Sequence, residues 1–207
     1  MHFVYDFDST LFKTSALWNA WRTLLYGFEK EDEEILQTAQ EAIKEGFSPY
    51  GHGAKLNLEG KAFDKAVKAF QKMIKDTAPS LVFDDVLAFL EEQSGDHKQS
   101  ILTFGDFDFQ HAKIEATQIL DYIDNVRIAR PEQVKTAHLR EMVEESSQQI
   151  VFIDDNPREL ASVHEAGLPV TLIRMVRDGE HHADEDHEGD DDLWTCVASL
   201  EEIKEQI

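Results

Sequence analysis

The chain has 207 residues, of which 42% are apolar and 30% charged, and its 42 acidic and 20 basic side chains give a formal net charge of −22. This composition excludes a disordered chain or a membrane-embedded one, and it is typical of a globular protein. Because the strong negative charge repels phosphate backbones and anionic bilayers, we expect neither nucleic acid nor a membrane as a partner.

The length allows one large core and a modest inserted module. Cys196 is the single cysteine, so an internal disulfide is excluded. The N-terminus has no basic region followed by an apolar stretch and a cleavage site, and no apolar run approaches the length of a membrane span. We therefore expect a cytoplasmic protein, and the sequence leaves its oligomeric state open.

Short apolar runs, each followed by polar or turn residues, predict buried parallel strands. They lie at 3–5, 101–102, 150–153 and 170–173, with weaker candidates at 126–129 and 195–198. Segments with helical periodicity separate them, at about 81–92, 107–122, 131–146 and 157–166, and a last helix is predicted from Ser199. This alternation predicts an α/β fold with a doubly wound, mostly parallel sheet, built from residues 1–12 and 81–207.

Residues 13–80 interrupt the alternation, because they show helical patterns and no convincing strand. Apolar faces recur around Trp21, Ile35 and Phe63, and they predict an all-helical cap inserted after the first strand. Within this predicted cap, residues 48–53 read Ser-Pro-Tyr-Gly-His-Gly, which is typical of a loop between helices.

Residues 178–192 consist almost wholly of Asp, Glu, His and Gly. They lack periodicity and are too polar to bury, so they predict a solvated surface loop. His181, His182 and His187 could bind a transition metal there, but they lack a recognised ligand spacing.

Ligands of an open parallel sheet bind beyond the carboxyl ends of its strands. The residues at those positions are Asp6, Asp8, Thr103, Gly105, Asp154 and Asp155. Four carboxylates at one edge would repel each other and take up protons unless a hard divalent cation neutralised them. They predict a Mg²⁺ site, in which the ion would draw in a phosphate oxygen and leave one carboxylate free to attack phosphorus.

These residues resemble motifs of the haloacid dehalogenase (HAD) superfamily. Asp6-Phe7-Asp8-Ser9-Thr10 resembles its first motif, Asp-x-Asp-x-Thr, and Thr103 resembles the hydroxyl residue of its second. Residues 151–156, Val-Phe-Ile-Asp-Asp-Asn, resemble its fourth. The resemblance covers residues 1–12 and about 81–207 and implies a HAD-like Rossmannoid core, whereas the predicted cap resembles no family that we can name.

By this resemblance Asp6 is the nucleophile, and Asp8 protonates the leaving group and later deprotonates the hydrolytic water. Thr103 would donate a hydrogen bond to the phosphoryl group, and a lysine would balance its charge. Lys135 is preferred for that role over Lys113, because it begins the helix before the strand of the acidic pair.

The same resemblance implies the remaining contacts. The metal ligands would be Asp6, the backbone carbonyl of Asp8, and Asp155, with Asp154 binding directly or through water. Thr10 and Gly105 join Thr103 and Lys135 as expected phosphate contacts. Phe104 and Gly105 follow Thr103 where the family often has asparagine, which weakens the expectation for contacts beyond Thr103.

The resemblance implies a Mg²⁺-dependent phosphatase that hydrolyses a small phosphorylated metabolite through an aspartyl-phosphate intermediate. Asp8 disfavours a metal-free dehalogenase, which needs no second aspartate. A sugar-phosphate mutase stays open, as does a phosphonate hydrolase that would use a lysine of the predicted cap, from Lys55, Lys61, Lys65 and Lys68. A non-catalytic acidic protein that binds metal through its histidine-rich loop is the alternative from another class.

Overall fold

The computed structural model describes residues 1–183, 185 and 193–205. Within these residues six strands form one sheet in which every pairing is parallel. In chain order they are β1 (His2–Tyr5), β2 (Lys98–Phe104), β3 (Asn125–Ala129), β4 (Ile150–Asp154), β5 (Val170–Met175) and β6 (Thr195–Val197). The predicted α/β fold and parallel sheet are confirmed.

The strand order is β3-β2-β1-β4-β5-β6, so the direction of winding reverses at β1. Ligands of such sheets bind at this switch point, beyond the carboxyl ends of the strands. Every residue of β1 and β4 is buried, because helices cover both faces of the sheet. The first strand therefore delivers the residues that follow it to the centre of the sheet's functional edge.

Eight α-helices lie within the described residues. They are α1 (Thr14–Tyr26), α2 (Asp32–Lys44), α3 (Pro49–Lys55), α4 (Lys61–Thr77), α5 (Val86–Gln93), α6 (Phe107–Ala116), α7 (Lys135–Glu145) and α8 (Pro157–Glu165). The first four fall inside the predicted cap, and that stretch contains no strand among its residues, which are all described. The periodicity argument for helices there is confirmed.

One buried apolar cluster joins these helices to the sheet. It runs from Phe3 and Tyr5 of β1 to Trp21 of α1 and Phe70 of α4. The rings of Trp21 and Phe70 lie 4.9 Å apart. His52 of α3 is also buried, and its Nδ1 accepts a hydrogen bond of 3.0 Å from the Trp21 indole. The helices thus pack continuously on the sheet, and the division into cap and core stays a prediction.

The predicted loop at residues 48–53 is wrong, because α3 begins at Pro49. The Ser48 hydroxyl accepts a hydrogen bond from the Gly51 amide, and proline occupies the first helical turn. Ser, Pro and Gly are common in turns, but a Ser-Pro pair is also a helix start. The capping function of these residues prevailed over their preference for turns.

Four predicted helices have different limits in the structure, and the one predicted at 81–92 begins only at Val86. The helix at 107–122 stops at Ala116, Gln118 takes a left-handed conformation with φ +65°, and a 3₁₀ turn follows over Ile119–Tyr122. The next helix begins at Lys135 and not at residue 131. The C-terminal helix is a 3₁₀ turn, Glu201–Glu205.

No helix among the described residues is both long and apolar enough to cross a membrane.

Candidate active site

A lysine joins the ends of β1 and β4. The Asp6 amide continues the sheet by donating to the Ile153 carbonyl at 2.8 Å, and this places the Asp6 side chain beyond the strand end. The Lys135 Nζ, at the start of α7, lies 2.8 Å from Asp6 Oδ1 and 2.7 Å from Asp154 Oδ2. All three side chains are buried. The structure thus brings together the predicted nucleophile, the preferred lysine and one member of the acidic pair.

Three carboxylates converge at the same point. One oxygen each from Asp6, Asp154 and Asp155 lies within 4.8 Å of the others. The Thr10 hydroxyl lies 3.5 Å from Asp155 Oδ1, and the Asn156 amide donates to Asp154 Oδ1 at 2.9 Å. Hard divalent cations prefer such all-oxygen donor sets.

Burial makes this carboxylate cluster difficult to ionise. Burial raises the pKa of Asp6 to about 6. The positive charge of Lys135 opposes this rise, and the negative charge of Asp154 adds to it. Burial raises the pKa of Asp155 well above its usual value, and the negative charges of Asp6 and Asp154 raise it further. Burial alone would lower the pKa of Lys135, but the charges of Asp154 and Asp6 raise it well above its usual value. One lysine cannot neutralise three carboxylates, so the donor set fits a divalent cation.

Asp8 lies apart from this cluster and is held by other groups. Its two oxygens lie 2.6 and 2.7 Å from the Lys113 Nζ of α6. Thr14, the first residue of α1, donates to Oδ1 at 2.8 Å, and Gln110 donates to Oδ2 at 2.7 Å. Burial opposes ionisation of Asp8, but the charge and hydrogen bonds of Lys113 outweigh it and lower the pKa.

Gly105 makes room for one of these donors. Its φ is +153°, and a Cβ there would lie 2.8 Å from the Gln110 amide nitrogen, which also donates to the Phe104 carbonyl. The Gly105 amide itself donates to the Ala129 carbonyl at 3.1 Å. Thr103 is buried at the end of β2, which pairs in register with β1. The phosphate contacts expected of Thr103, Thr10 and Gly105 stay predictions.

The sequence offered Lys113 and Lys135 as alternatives for one position, whereas the structure pairs Lys113 with Asp8 and Lys135 with Asp6 and Asp154. Lys113 is buried among the rings of Phe7, Phe12 and Phe109, with its Nζ 5.2–5.8 Å from their centres. A lysine at the seventh position of the helix after Thr103 was the available signal, but its acidic partner is 105 residues away. Gln110 and Thr14 gave no sequence signal.

The loop after β5 also reaches the site, which the sequence did not predict. The Glu180 carboxylate accepts hydrogen bonds from the Ser9 hydroxyl at 2.9 Å and from the Ser15 amide at 3.0 Å. It therefore holds both ends of the segment that contains Thr10 and Thr14. Beside the loop that follows β2, a cavity of about 500 Å³ lies between Glu45 of the predicted cap and Arg130.

The chain matches the haloacid dehalogenase-like hydrolase family over residues 3–173, and it belongs to that family. The resemblance stated from the motifs is confirmed. No curated protein sequence matches the chain.

Solved structures share the fold along nearly the whole chain. A protein assigned to the haloacid dehalogenase-like hydrolases, from Burkholderia xenovorans LB400, has a TM-score of 0.77 and 22% identity, covering 99% of this chain and 96% of that chain. A protein assigned as a phosphoglycolate phosphatase, from Lactobacillus plantarum, has a TM-score of 0.61 and 13% identity, covering 100% and 98%.

An L-2-haloacid dehalogenase from Xanthobacter autotrophicus is similar too, with a TM-score of 0.55 and 15% identity, covering 87% of this chain and 79% of that chain. At these identities the likeness shows the fold alone. Because the same fold carries both reactions, the choice of reaction depends on the site.

Proposed function

We propose that the protein is a Mg²⁺-dependent phosphatase that uses Asp6 as its nucleophile. The observation that carries the proposal is the buried cluster of Asp6, Asp154 and Asp155, whose oxygens lie within 4.8 Å of one another. Displacement of a halide by one carboxylate needs no such cluster. A phosphoryl group brings further negative charge into the site, so its transfer needs a cation there.

The residues present fit Mg²⁺. Carboxylates of Asp6 and Asp155 and the backbone carbonyl of Asp8 would hold it, with Asp154 binding directly or through water. All are hard oxygen donors. When bound, the ion neutralises the carboxylates and the charge of the incoming phosphoryl group.

The proposed reaction has two displacements at phosphorus. Asp6 attacks first, the bond between phosphorus and the ester oxygen breaks, and Asp8 gives its proton to the leaving alkoxide. Water then attacks the aspartyl phosphate, Asp8 takes the proton, and inorganic phosphate leaves with the carboxylate of Asp6 restored. Lys135 and Thr103 would stabilise the charge on the phosphoryl oxygens in both steps.

The contacts of Asp8 keep it ionised and restrain both of its proposed roles. Each carboxylate oxygen has about two lone-pair directions, and four donor contacts from Thr14, Gln110 and Lys113 occupy them. A carboxylate held in this way has neither a proton to give nor a free lone pair on which to take one. Both proton transfers therefore require that the substrate loosens the contact between Asp8 and Lys113.

The helices of the predicted cap would select the substrate. The cavity between Glu45 and Arg130 is about 500 Å³ in volume, which suits a small metabolite. It lies beside Gly105, next to the strand end that carries Thr103. We propose that it admits the leaving group.

The alternatives within the superfamily have less support. A phosphonate hydrolase would need a lysine of the predicted cap near the site, but Lys61, Lys65 and Lys68 are exposed on α4. Lys55 pairs with Glu45 at 2.9 Å. A sugar-phosphate mutase shares the aspartyl-phosphate step, and transfer of phosphate to a sugar hydroxyl in place of water would identify it.

The proposal is tested by hydrolysis of p-nitrophenyl phosphate with Mg²⁺, with EDTA, and with 2-chloropropionate as the competing substrate. We expect phosphate release that requires Mg²⁺, that Asp6→Asn abolishes, and that is accompanied by no chloride release. The control is Asp84→Asn, which changes an exposed aspartate in an ion pair with Lys13. Equal rates for Asp6→Asn and the unmodified chain, or release of chloride without metal, would contradict the proposal.

A further inference from the structure

A second group of metal-binding side chains lies in the loop after β5, outside the carboxylate cluster. One ring nitrogen each from His181 and His182 and one carboxylate oxygen of Glu185 lie within 4.8 Å of one another. The two rings are 4.4 Å apart, and His182 Nδ1 lies 2.9 Å from Glu185 Oε1. His187, which the sequence placed with them, lies outside the described residues.

The backbone of this turn is anchored on both sides. Arg174 of β5, whose side chain is buried, donates from Nη2 to the carbonyl oxygens of His182 at 2.8 Å and Glu185 at 2.7 Å. On the other side, the Glu180 carboxylate is bonded to Ser9 and Ser15. The two histidines and Glu185 are therefore brought together by contacts with the sheet and with the segment after β1.

We propose that His181, His182 and Glu185 bind one divalent ion of the zinc class, such as Zn²⁺, Ni²⁺ or Cu²⁺. Two imidazoles and a carboxylate are the donors that these ions prefer, whereas Mg²⁺ prefers oxygen alone. Three protein ligands leave a coordination position for water. The strong net negative charge raises the local concentration of any divalent cation at this surface.

The geometry needs only a small adjustment. Zn–N bonds are about 2.0–2.1 Å, so donors on one ion lie at most about 4.2 Å apart. His181 is exposed and His182 and Glu185 are half-buried, so rotation of the side chains closes the remaining gap. Arg158 Nη2 lies 3.7 Å from Glu185 Oε2 and is one competing cation, but Arg158 is exposed and surface pairs of this kind contribute little.

The test is calorimetric titration of the full chain with Zn²⁺, in a buffer that contains excess Mg²⁺. We expect one Zn²⁺ per chain, and His181→Ala combined with His182→Ala should weaken binding by about 100-fold or more. The matched control is His111→Ala with His164→Ala, which removes two exposed imidazoles from α6 and α8. That control should bind Zn²⁺ as the unmodified chain does. A separate variant, Asp155→Asn, should do the same.

Binding of Cu²⁺ provides a second measurement, because its electron paramagnetic resonance spectrum reports the ligand atoms. Coupling to two nitrogens is expected, and it should vanish in the His181→Ala, His182→Ala protein. The proposal is overturned by an all-oxygen spectrum, by undiminished Zn²⁺ binding in that protein, by loss of binding in Asp155→Asn alone, or by no binding to the unmodified chain. These outcomes are independent of phosphatase activity.

Discussion

The ammonium group of Lys113 lies 2.6 and 2.7 Å from the two carboxylate oxygens of Asp8, although the residues are 105 positions apart. The pair joins the turn after β1 to the helix after β2. The Lys113 side chain is 4% exposed and that of Asp8 is 25% exposed, so the ion pair is mostly shielded from water. It therefore contributes to both stability and the orientation of Asp8.

Replacement of Lys113 by methionine should lower the free energy of unfolding by about 2–4 kcal/mol, because Asp8 then keeps a partly buried charge without its counter-charge. Chemical denaturation measures this. Lys72→Met, which breaks the exposed pair with Asp76, should change stability by less than about 0.5 kcal/mol. Adding Asp8→Asn to Lys113→Met should recover part of the loss. Equal stability of the two lysine variants would show that the buried pair contributes nothing.

Turnover should depend steeply on the leaving group. Because Lys113 keeps Asp8 ionised, the enzyme gives little help to alcohols that must be protonated as they leave. We expect kcat for p-nitrophenyl phosphate to exceed kcat for a simple alkyl phosphate by at least about 10²-fold, the lower limit of a general-acid contribution. Asp8→Asn should not slow the alkyl ester more than the aryl ester, because the proton transfer that it removes, in hydrolysis of the aspartyl phosphate, is common to both. Similar rates for the two esters in the unmodified chain would refute this account of Asp8.

Mg²⁺ should stabilise the protein more near neutral pH than in acid. Burial raises the pKa of Asp6 in the folded chain to about 6, from an ordinary value of 3.8. Between these values the folded state binds more protons than the unfolded state, so without metal this group's contribution to stability falls as pH rises. Mg²⁺ binds the ionised form and offsets that loss.

The measurement is the melting temperature with and without Mg²⁺, at about pH 5 and about pH 7.5. The upward shift caused by Mg²⁺ should be larger at the higher pH, and Asp155→Asn should reduce it. If Mg²⁺ raised the melting temperature equally at both pH values, the ion would not be binding the ionised form of the carboxylate cluster.

The tight approach of α3 to α4 gives a stability prediction for the predicted cap. A Cβ at Gly53 would lie 2.0 Å from Cζ of Phe63, so Gly53→Ala should destabilise the chain by about 1–3 kcal/mol. Gly51→Ala, in the same helix, meets only the Ser48 hydroxyl at 3.1 Å and should change stability by less than about 1 kcal/mol. Thermal unfolding compares the two, and indistinguishable melting temperatures would show that the helices pack less closely.

The sequence predicted the sheet well because β1 and β4 are buried on both sides, and such strands are continuous apolar runs. It also placed Asp6, Asp154 and Asp155 at one edge, since strand ends in a parallel sheet are neighbours. It could not find the partner of Lys113, because a single charged residue on a helix carries no information about a contact 105 positions away. The sequence missed α3 because the capping by Ser48 was not recognised, and it placed the end of α6 too late because Gln118 takes a left-handed conformation.

The central claim is that Asp6 takes the phosphoryl group. Acid quenching of the enzyme during turnover of an aryl phosphate with Mg²⁺, followed by peptide mass spectrometry, tests it most directly. We predict one phosphoryl group on Asp6, a larger phosphorylated fraction in Asp8→Asn because hydrolysis of the intermediate is slowed, and none in Asp6→Asn. A phosphoryl group on another residue, or steady turnover by Asp6→Asn, would contradict the account.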